Sequence, residues 1–272
     1  MTQDSTYKPT FLQRLLGGNY KWWYLIIYSF KQTNIKFVSF LIGNFASVLD
    51  FSITIYLWVL IDPTKDRITY FFVGFMLQRL IWNQYSGILT ENIISGKIAN
   101  RLIVPSNNFK FWFFREIGSS LLRNTISSLL IFSFLPIYFN YLRLPNLTFL
   151  LILPFCLSVA FFIDYCISYI LASFAFWTED VRPIGYLMVI FIKILSGIAI
   201  PFSYLPEPFK TVLQFNPYAL ISYHPMQIYL GKYTNLEIFY AFLGGVIWSI
   251  ILYFLAKLVF KMGLKRNEAV GL

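Results

Sequence analysis

Charge is scarce in this sequence. Asp, Glu, Lys and Arg make up only 12% of its 272 residues, about half the roughly 25% of an ordinary soluble domain. With 58% hydrophobic residues, 21% aromatic ones and a mean hydropathy of +0.64, the chain has too little polar surface to cover a water-facing globule. Its solvent is lipid. Histidine occurs once, at His224, and cysteine twice, at Cys156 and Cys166. The two cysteines fall ten residues apart in one apolar run, so they are not expected to pair with each other, and no metal-ligand spacing is present. There is no HExxH, no GxSxG and no carboxylate cluster, so neither a catalytic residue nor a metal ligand is expected. The Gly-Lys of "ISGKIAN" (94–100) lacks the upstream glycine and the following Ser or Thr of a phosphate-binding loop. The chain therefore has no visible means of hydrolysing ATP. His224, in "SYHPMQ", reads as a helix-cap or interface residue. The first 23 residues hold no compact apolar core followed by a small-residue cleavage site, so no removable signal peptide is expected.

What the sequence does have is long apolar runs. A span needs about 20 mostly apolar residues, and six are read: 37–61, 69–90, 117–140, 148–176, 184–203 and 236–258. The expected fold is an all-α polytopic membrane protein with six transmembrane helices. Residues 1–36 form an N-terminal segment and 37–272 the six-span domain. "DPTKDR" (62–67), "LRLPN" (142–146) and "WTEDVRP" (177–183) read as tight turns, whereas 91–116 and 204–235 are long, and long connections in compact proteins usually carry function.

The formal charge of +10 is a matter of topology. With both ends in the cytoplasm, the opposite side holds only Lys65, Arg67, Arg143, Lys210 and Lys232, and the spans hold Arg79, Arg123 and Lys193. The other fourteen of the 22 basic residues are then cytoplasmic, as the positive-inside rule requires. No nucleic-acid partner is needed to explain the basic balance. Within residues 10–34, Leu12, Leu15 and Leu16 fall at helical spacing and Trp22, Trp23 and Tyr24 favour a membrane interface. An interfacial helix lying along the cytoplasmic surface is expected there.

Four charges fall inside spans: Asp50, Arg79, Asp164 and Lys193. Because an unpaired charge is expensive at that depth, two ion pairs between consecutive helices are expected, Asp50 with Arg79 and Asp164 with Lys193. In the cytoplasmic connection, Ile93, Ile94, Ile98 and Leu102 alternate with Lys97 and Arg101 before a break at Pro105. This amphipathic pattern suits a short helix that docks a soluble partner. On the other side, Pro201, Pro206, Pro208 and Pro217 crowd into seventeen residues of "SGIAIPFSYLPEPFKTVLQFNPY" (196–218). Proline is tolerated in a first helical turn, so two short helices are expected, near 206–215 and 218–230, with Asn216 as an N-cap and Gly231 as a stop. Val212, Leu213, Phe215, Leu220 and Ile221 would face water in a surface loop. The segment therefore reads as a re-entrant hairpin, tolerated where protein or a wet cavity satisfies the backbone.

In order along the chain, "GKIANRLIVP" (96–105), "AFWTED" (175–180), "SGIAIPFSYLP" (196–206), "NPY" with "PMQIYLG" (216–231) and "FKMGLKRNEAVG" (260–271) resemble the permease subunit of ABC type-2 transporters, in particular the branch that includes viologen exporters. The resemblance implies an export permease of the bacterial cytoplasmic membrane, with both termini cytoplasmic and lipids around it. It implies a second permease, identical or paralogous, and two separate ATPase subunits that bind the ATP and Mg, this chain binding no cofactor itself. Gly96, Lys97, Arg101, Leu102 and Pro105 of the 91–116 segment would couple to the ATPases. Pro201, Pro206, Phe209, Pro217, Tyr218 and Pro225 of the 201–231 hairpin would form the extracellular gate. Phe40, Phe45, Met188 and Phe191 would line the pathway, at most one of Phe40 and Phe45 facing it squarely. A proton-coupled secondary transporter and a non-transporting scaffold or immunity protein remain the alternative readings.

Overall fold

The computed structural model describes residues 20–33, 37–81, 85–103, 107–132, 142–178 and 180–269. Eleven α-helices and two short 3-10 turns account for most of them, and no strand occurs among the described residues. The helices are α1 (Tyr20–Gln32), α2 (Phe37–Ile61), α3 (Lys65–Ile81), α4 (Tyr85–Ile94), α5 (Ile98–Leu102), α6 (Asn108–Phe132), α7 (Leu147–Ser173), α8 (Arg182–Leu195), α9 (Glu207–Gln214), α10 (Tyr223–Tyr229) and α11 (Asn235–Ala269). Among the described residues, three helical stretches are long and apolar enough to cross a membrane: Phe40–Ile61, Leu147–Phe176 and Asn235–Arg266.

The helix boundaries differ from the expected spans where local chemistry intervenes. The helical stretch expected over 69–90 forms α3 and α4, with residues 82–84 outside the described ones. Helix α6 starts nine residues before the expected 117, because the aromatic run "FKFWFF" is itself helical, with Asn107 Oδ1 accepting from the Lys110 amide at 3.1 Å. Residues 133–140, the last part of that expected span, lie outside the described residues. The span expected over 184–203 stops at Leu195, where Ser196 and Gly197 turn the chain, and Gly197 takes a left-handed φ of 77° that favours glycine.

Two buried clusters hold the helices together. One joins α4, α5, α6, α7 and α11 around Leu89, Ile98, Trp112, Tyr165, Tyr169 and Phe260. The other joins α2, α3 and α10 around Phe51, Phe72, Phe75 and Met226. Helix α1 packs against the first half of α6, where Gly118 admits the Ile26 carbonyl and Ser29 so closely that a Cβ would collide with both. The described part of the expected 10–34 helix is therefore anchored on another helix; residues 10–19 lie outside the described residues.

The prolines resolve as two short helices: α9 matches the expected 206–215, whereas α10 begins at Tyr223, five residues after the expected 218, with Ser222 in place of Asn216 before its first turn. Pro208 stands in the first turn of α9 and Pro183 in that of α8, where no amide donor is missed. Asn216 caps the turn between α9 and α10, accepting from the amides of Tyr218 at 2.8 Å and Ala219 at 3.1 Å. Gly231, at φ 67°, ends α10 with Lys232 N bonded to Gln227 O and Gly231 N to Ile228 O, the paired closure that glycine permits.

Candidate functional site

Helix α8 carries no buried residue. Tyr186, Leu187, Ile190, Phe191 and Ile194 form one exposed apolar stripe along it, at the three- and four-residue spacing of a single helix face. At the edge of that stripe, seven residues from Tyr186, Lys193 Nζ donates to both carboxylate oxygens of Asp50 on α2, at 2.7 and 2.8 Å. The side chains remain 35% and 46% exposed, so the pair opens onto the outside of the protomer.

This pairing corrects both expected ones. Asp50 belongs to Lys193, and Arg79 makes no ion pair with a described carboxylate; its guanidinium lies 5.9 Å from the centroid of Phe75. Asp164 interacts electrostatically with Tyr218 of the hairpin. Consecutive helices were the wrong guide because α8 returns beside α2, and no local spacing records that neighbourhood. One pair could have been found by spacing alone: Arg123 bonds Glu116 on its own helix at 3.1 Å, seven residues and two turns away, with Ser119 joining the same carboxylate. Of the aromatic and methionine candidates, Phe45 and Phe191 are exposed, Phe40 is half-buried, and Met188 packs onto the main core.

The hairpin reaches deep along the bundle. Trp248 Nε1 donates to the Phe215 carbonyl at 2.7 Å, and Trp248 stands about 20 Å along α11 from its start at Asn235. Asn216 Nδ2 donates to the carbonyl of Leu195, the last residue of α8, at 2.9 Å, and also to that of Leu213. With 14 residues, α8 extends about 21 Å, short of the ~30 Å hydrocarbon core. The hairpin tip satisfies the carbonyl at the end of α8. Toward the other rim, Tyr70 donates to Gly197 O at 2.8 Å, and Tyr204 to Asp62 at 3.1 Å, beneath the Arg67 guanidinium. Among the expected gate residues Pro201 and Pro225 are buried, Pro217 and Tyr218 half-buried, and Pro206 and Phe209 exposed. Phe209 is the one large apolar side chain of that set offered outward, joined by Val212 and Phe215; of the five apolar residues noted in this segment, those two are exposed, Leu213 is half-buried, and Leu220 and Ile221 are buried.

His224 clips this hairpin shut. One ring nitrogen, Nε2, lies 2.8 Å from the Gln214 carbonyl, which can only accept, so Nε2 carries the proton. Nδ1 then accepts from the Tyr233 hydroxyl at 2.8 Å. Losing this ring leaves two groups inside the hairpin without their partner, so His224→Ala should cost about 1–3 kcal/mol of stability and lower the melting temperature; an unchanged melting temperature would remove His224 as the clip.

At the other end of the bundle, α4 and α5 meet at Gly96, whose φ of 71° makes the corner. The four aliphatics expected on one face divide: Ile93 and Ile98 are buried in the main core, while Ile94 and Leu102 face outward. Lys97 is exposed, and so is Ile103, at 80% the most exposed large apolar side chain in the described residues. Arg101 lies over the Phe111 ring, its guanidinium carbon 3.9 Å from the centroid, which ties α5 to α6. Pro105 lies outside the described residues.

A bundle of apolar helices, three of them long enough to cross a membrane among the described residues, with a helical hairpin packed into it and an amphipathic corner at the opposite pole, is the architecture of a multi-pass membrane protein. A family profile described as ABC-2 family transporter protein matches residues 63–271, most of the chain, and the chain belongs to that family. No curated protein matches it.

Proposed function

We propose that this chain is the permease subunit of an ATP-driven exporter related to the viologen-exporter branch. It crosses the membrane six times, with α8 and the hairpin sharing one crossing and both termini in the cytoplasm. Two such permeases, identical or paralogous, meet along α2 and α8 and enclose the substrate pathway between them. The observation that carries this reading is the Asp50–Lys193 pair, left half exposed beside the apolar stripe of α8. A charged pair at membrane depth belongs against protein or a wet cavity, because contact with lipid tails is expensive for either charge. Phe45 and Phe191 stand on the exposed surfaces of the same two helices and would contribute to the wall. The hairpin closes the outer end, with Phe209 as its outward side chain. ATP and Mg bind to two separate ATPase subunits, which dock on the α4–α5 corner through Lys97 and Leu102, Gly96 and Arg101 holding its shape. This division of labour fits a chain whose sequence carries no nucleotide-binding loop.

The test is affinity purification of the tagged chain from its native membrane in mild detergent, with mass spectrometry of what accompanies it. A Walker-motif ATPase at about one copy per membrane subunit is the expected companion, and any second permease identifies the other half of the pathway. Purification of the chain alone, in nanodiscs as well as detergent, would sink the proposal.

A further inference from the structure

A cavity of about 730 Å³ opens on the side of the bundle between α1, α6, α7 and α11, within the size range of ligand pockets. No residue of α2 or α8 lines it, so it is separate from the face that carries the Asp50–Lys193 pair. Its walls are aromatic and aliphatic: Trp22 stacks on Phe114 at 5.1 Å, and Phe109 meets Tyr253 edge-on at 5.0 Å. Ser249, the one hydroxyl-bearing aliphatic side chain in the lining, spends its hydroxyl on the Gly245 carbonyl of its own helix, at 2.7 Å. The interior thus asks nothing polar of a ligand.

The end nearest the first turn of α6 is different. Lys110 lines it, the Lys21 ammonium lies 5.0 Å from the centroid of the lining Trp22, and Lys257 lies 3.4 Å from the hydroxyl of the lining Tyr253. None of these three lysines forms an ion pair with a described residue, and no Asp or Glu lines the cavity. An apolar slot about two helical turns long, opening sideways, with three uncompensated cations at one end, is complementary to a molecule with one anionic head and a long apolar tail.

We propose that this groove is a binding site for an anionic glycerophospholipid, one acyl chain lying between α7 and α11 and the phosphate among Lys21, Lys110 and Lys257. The lipid fastens the first turn of α1 to the bundle, because Trp22 is one wall of the slot. A basic residue at a membrane surface raises affinity for anionic lipid by about fivefold, so three distinguish such a site from the non-selective lipid annulus.

The test uses the full chain in nanodiscs of phosphatidylcholine and phosphatidylglycerol, in which one lipid or the other carries a photoactivatable acyl chain. Labelling of 155–162 and 246–254 by the phosphatidylglycerol probe should exceed that by the phosphatidylcholine probe by at least about fivefold. The combined K21Q, K110Q and K257Q substitutions, all on exposed side chains, should bring the two probes level, and in nanodiscs of phosphatidylcholine alone should leave the melting temperature unchanged. Filling the slot with Ser249→Trp, or with the milder Val246→Phe at its rim, should reduce labelling by both probes. Equal labelling in the wild type, or a preference that survives loss of the three lysines, would overturn the proposal. So would cross-linking of the groove to residues 1–19 in place of lipid, which would make the chain's own N-terminal segment the occupant.

Discussion

Replacing Asp50 by leucine while Lys193 remains should remove most of the protein from the folded membrane fraction. The Lys193 ammonium makes both of its carboxylate contacts to Asp50, and the substitution leaves it uncompensated within a helix at membrane depth. An isolated charge at the centre of a membrane helix costs about 2.5–3.5 kcal/mol, or roughly a hundredfold in the balance between folded and unfolded protein. Lys193→Met should be milder than Asp50→Leu. Asp50 also attracts Arg79, so it keeps one cationic neighbour when Lys193 is gone, whereas loss of Asp50 abandons two. The double variant D50L/K193M should recover a large part of the loss, and D50L/R79L should recover less. Yield and melting temperature of a fluorescent fusion, followed by size exclusion, give the ranking directly. Equal yields for D50L and D50L/K193M would mean that the contact carries no coupling and that water already solvates Lys193.

That ranking could not have been reached from the sequence. The four intramembrane charges were legible as four charges, and the need for partners follows from their environment alone. The choice of partner depends on which helices are neighbours, and sequence order suggests consecutive ones. Local chemistry was far more readable. Gly231 at its left-handed stop and Pro208 in a first helical turn obey rules that act within a few residues; Asn216 caps as its chemistry dictates, but it caps the turn ahead of α10 and not the helix. The same limit explains the shortened α8. Its apolar run continues past Leu195, and only the hairpin tip, through Asn216, takes over the carbonyl at which the helix ends. The α4–α5 corner was legible as amphipathic, but the positive φ of Gly96 rotates α5 relative to α4, so a single helical register could not assign Ile93, Ile94, Ile98 and Leu102 to the correct sides.

Ile103→Asp should detach the ATPase subunits by about thirtyfold while leaving the permease as stable as before. The corner is fixed from within by Ile93 and Ile98 and by Arg101 on Phe111. Ile94, Lys97, Leu102 and Ile103 are left facing outward. An exposed aliphatic patch on a rigid corner, with a lysine at its side, has the form of an interface core with a charged rim. Removing a central apolar anchor from such a core costs about 2 kcal/mol or more, and burying a carboxylate there adds to the loss. In the free permease the same substitution touches solvent or headgroups, where surface changes stay within about 0.5 kcal/mol. Lys97→Ala, at the rim, should weaken attachment by less than tenfold, in keeping with the ~1 kcal/mol of an exposed ion pair. Arg101→Ala should behave differently from both, because it removes the stacking that positions α5. Its melting temperature and its ATPase retention should fall together. Measuring both quantities for the three variants separates the surface that meets the partner from the residues that hold that surface in place. If Ile103→Asp retains its ATPase at wild-type stoichiometry, the α4–α5 corner is not the docking site.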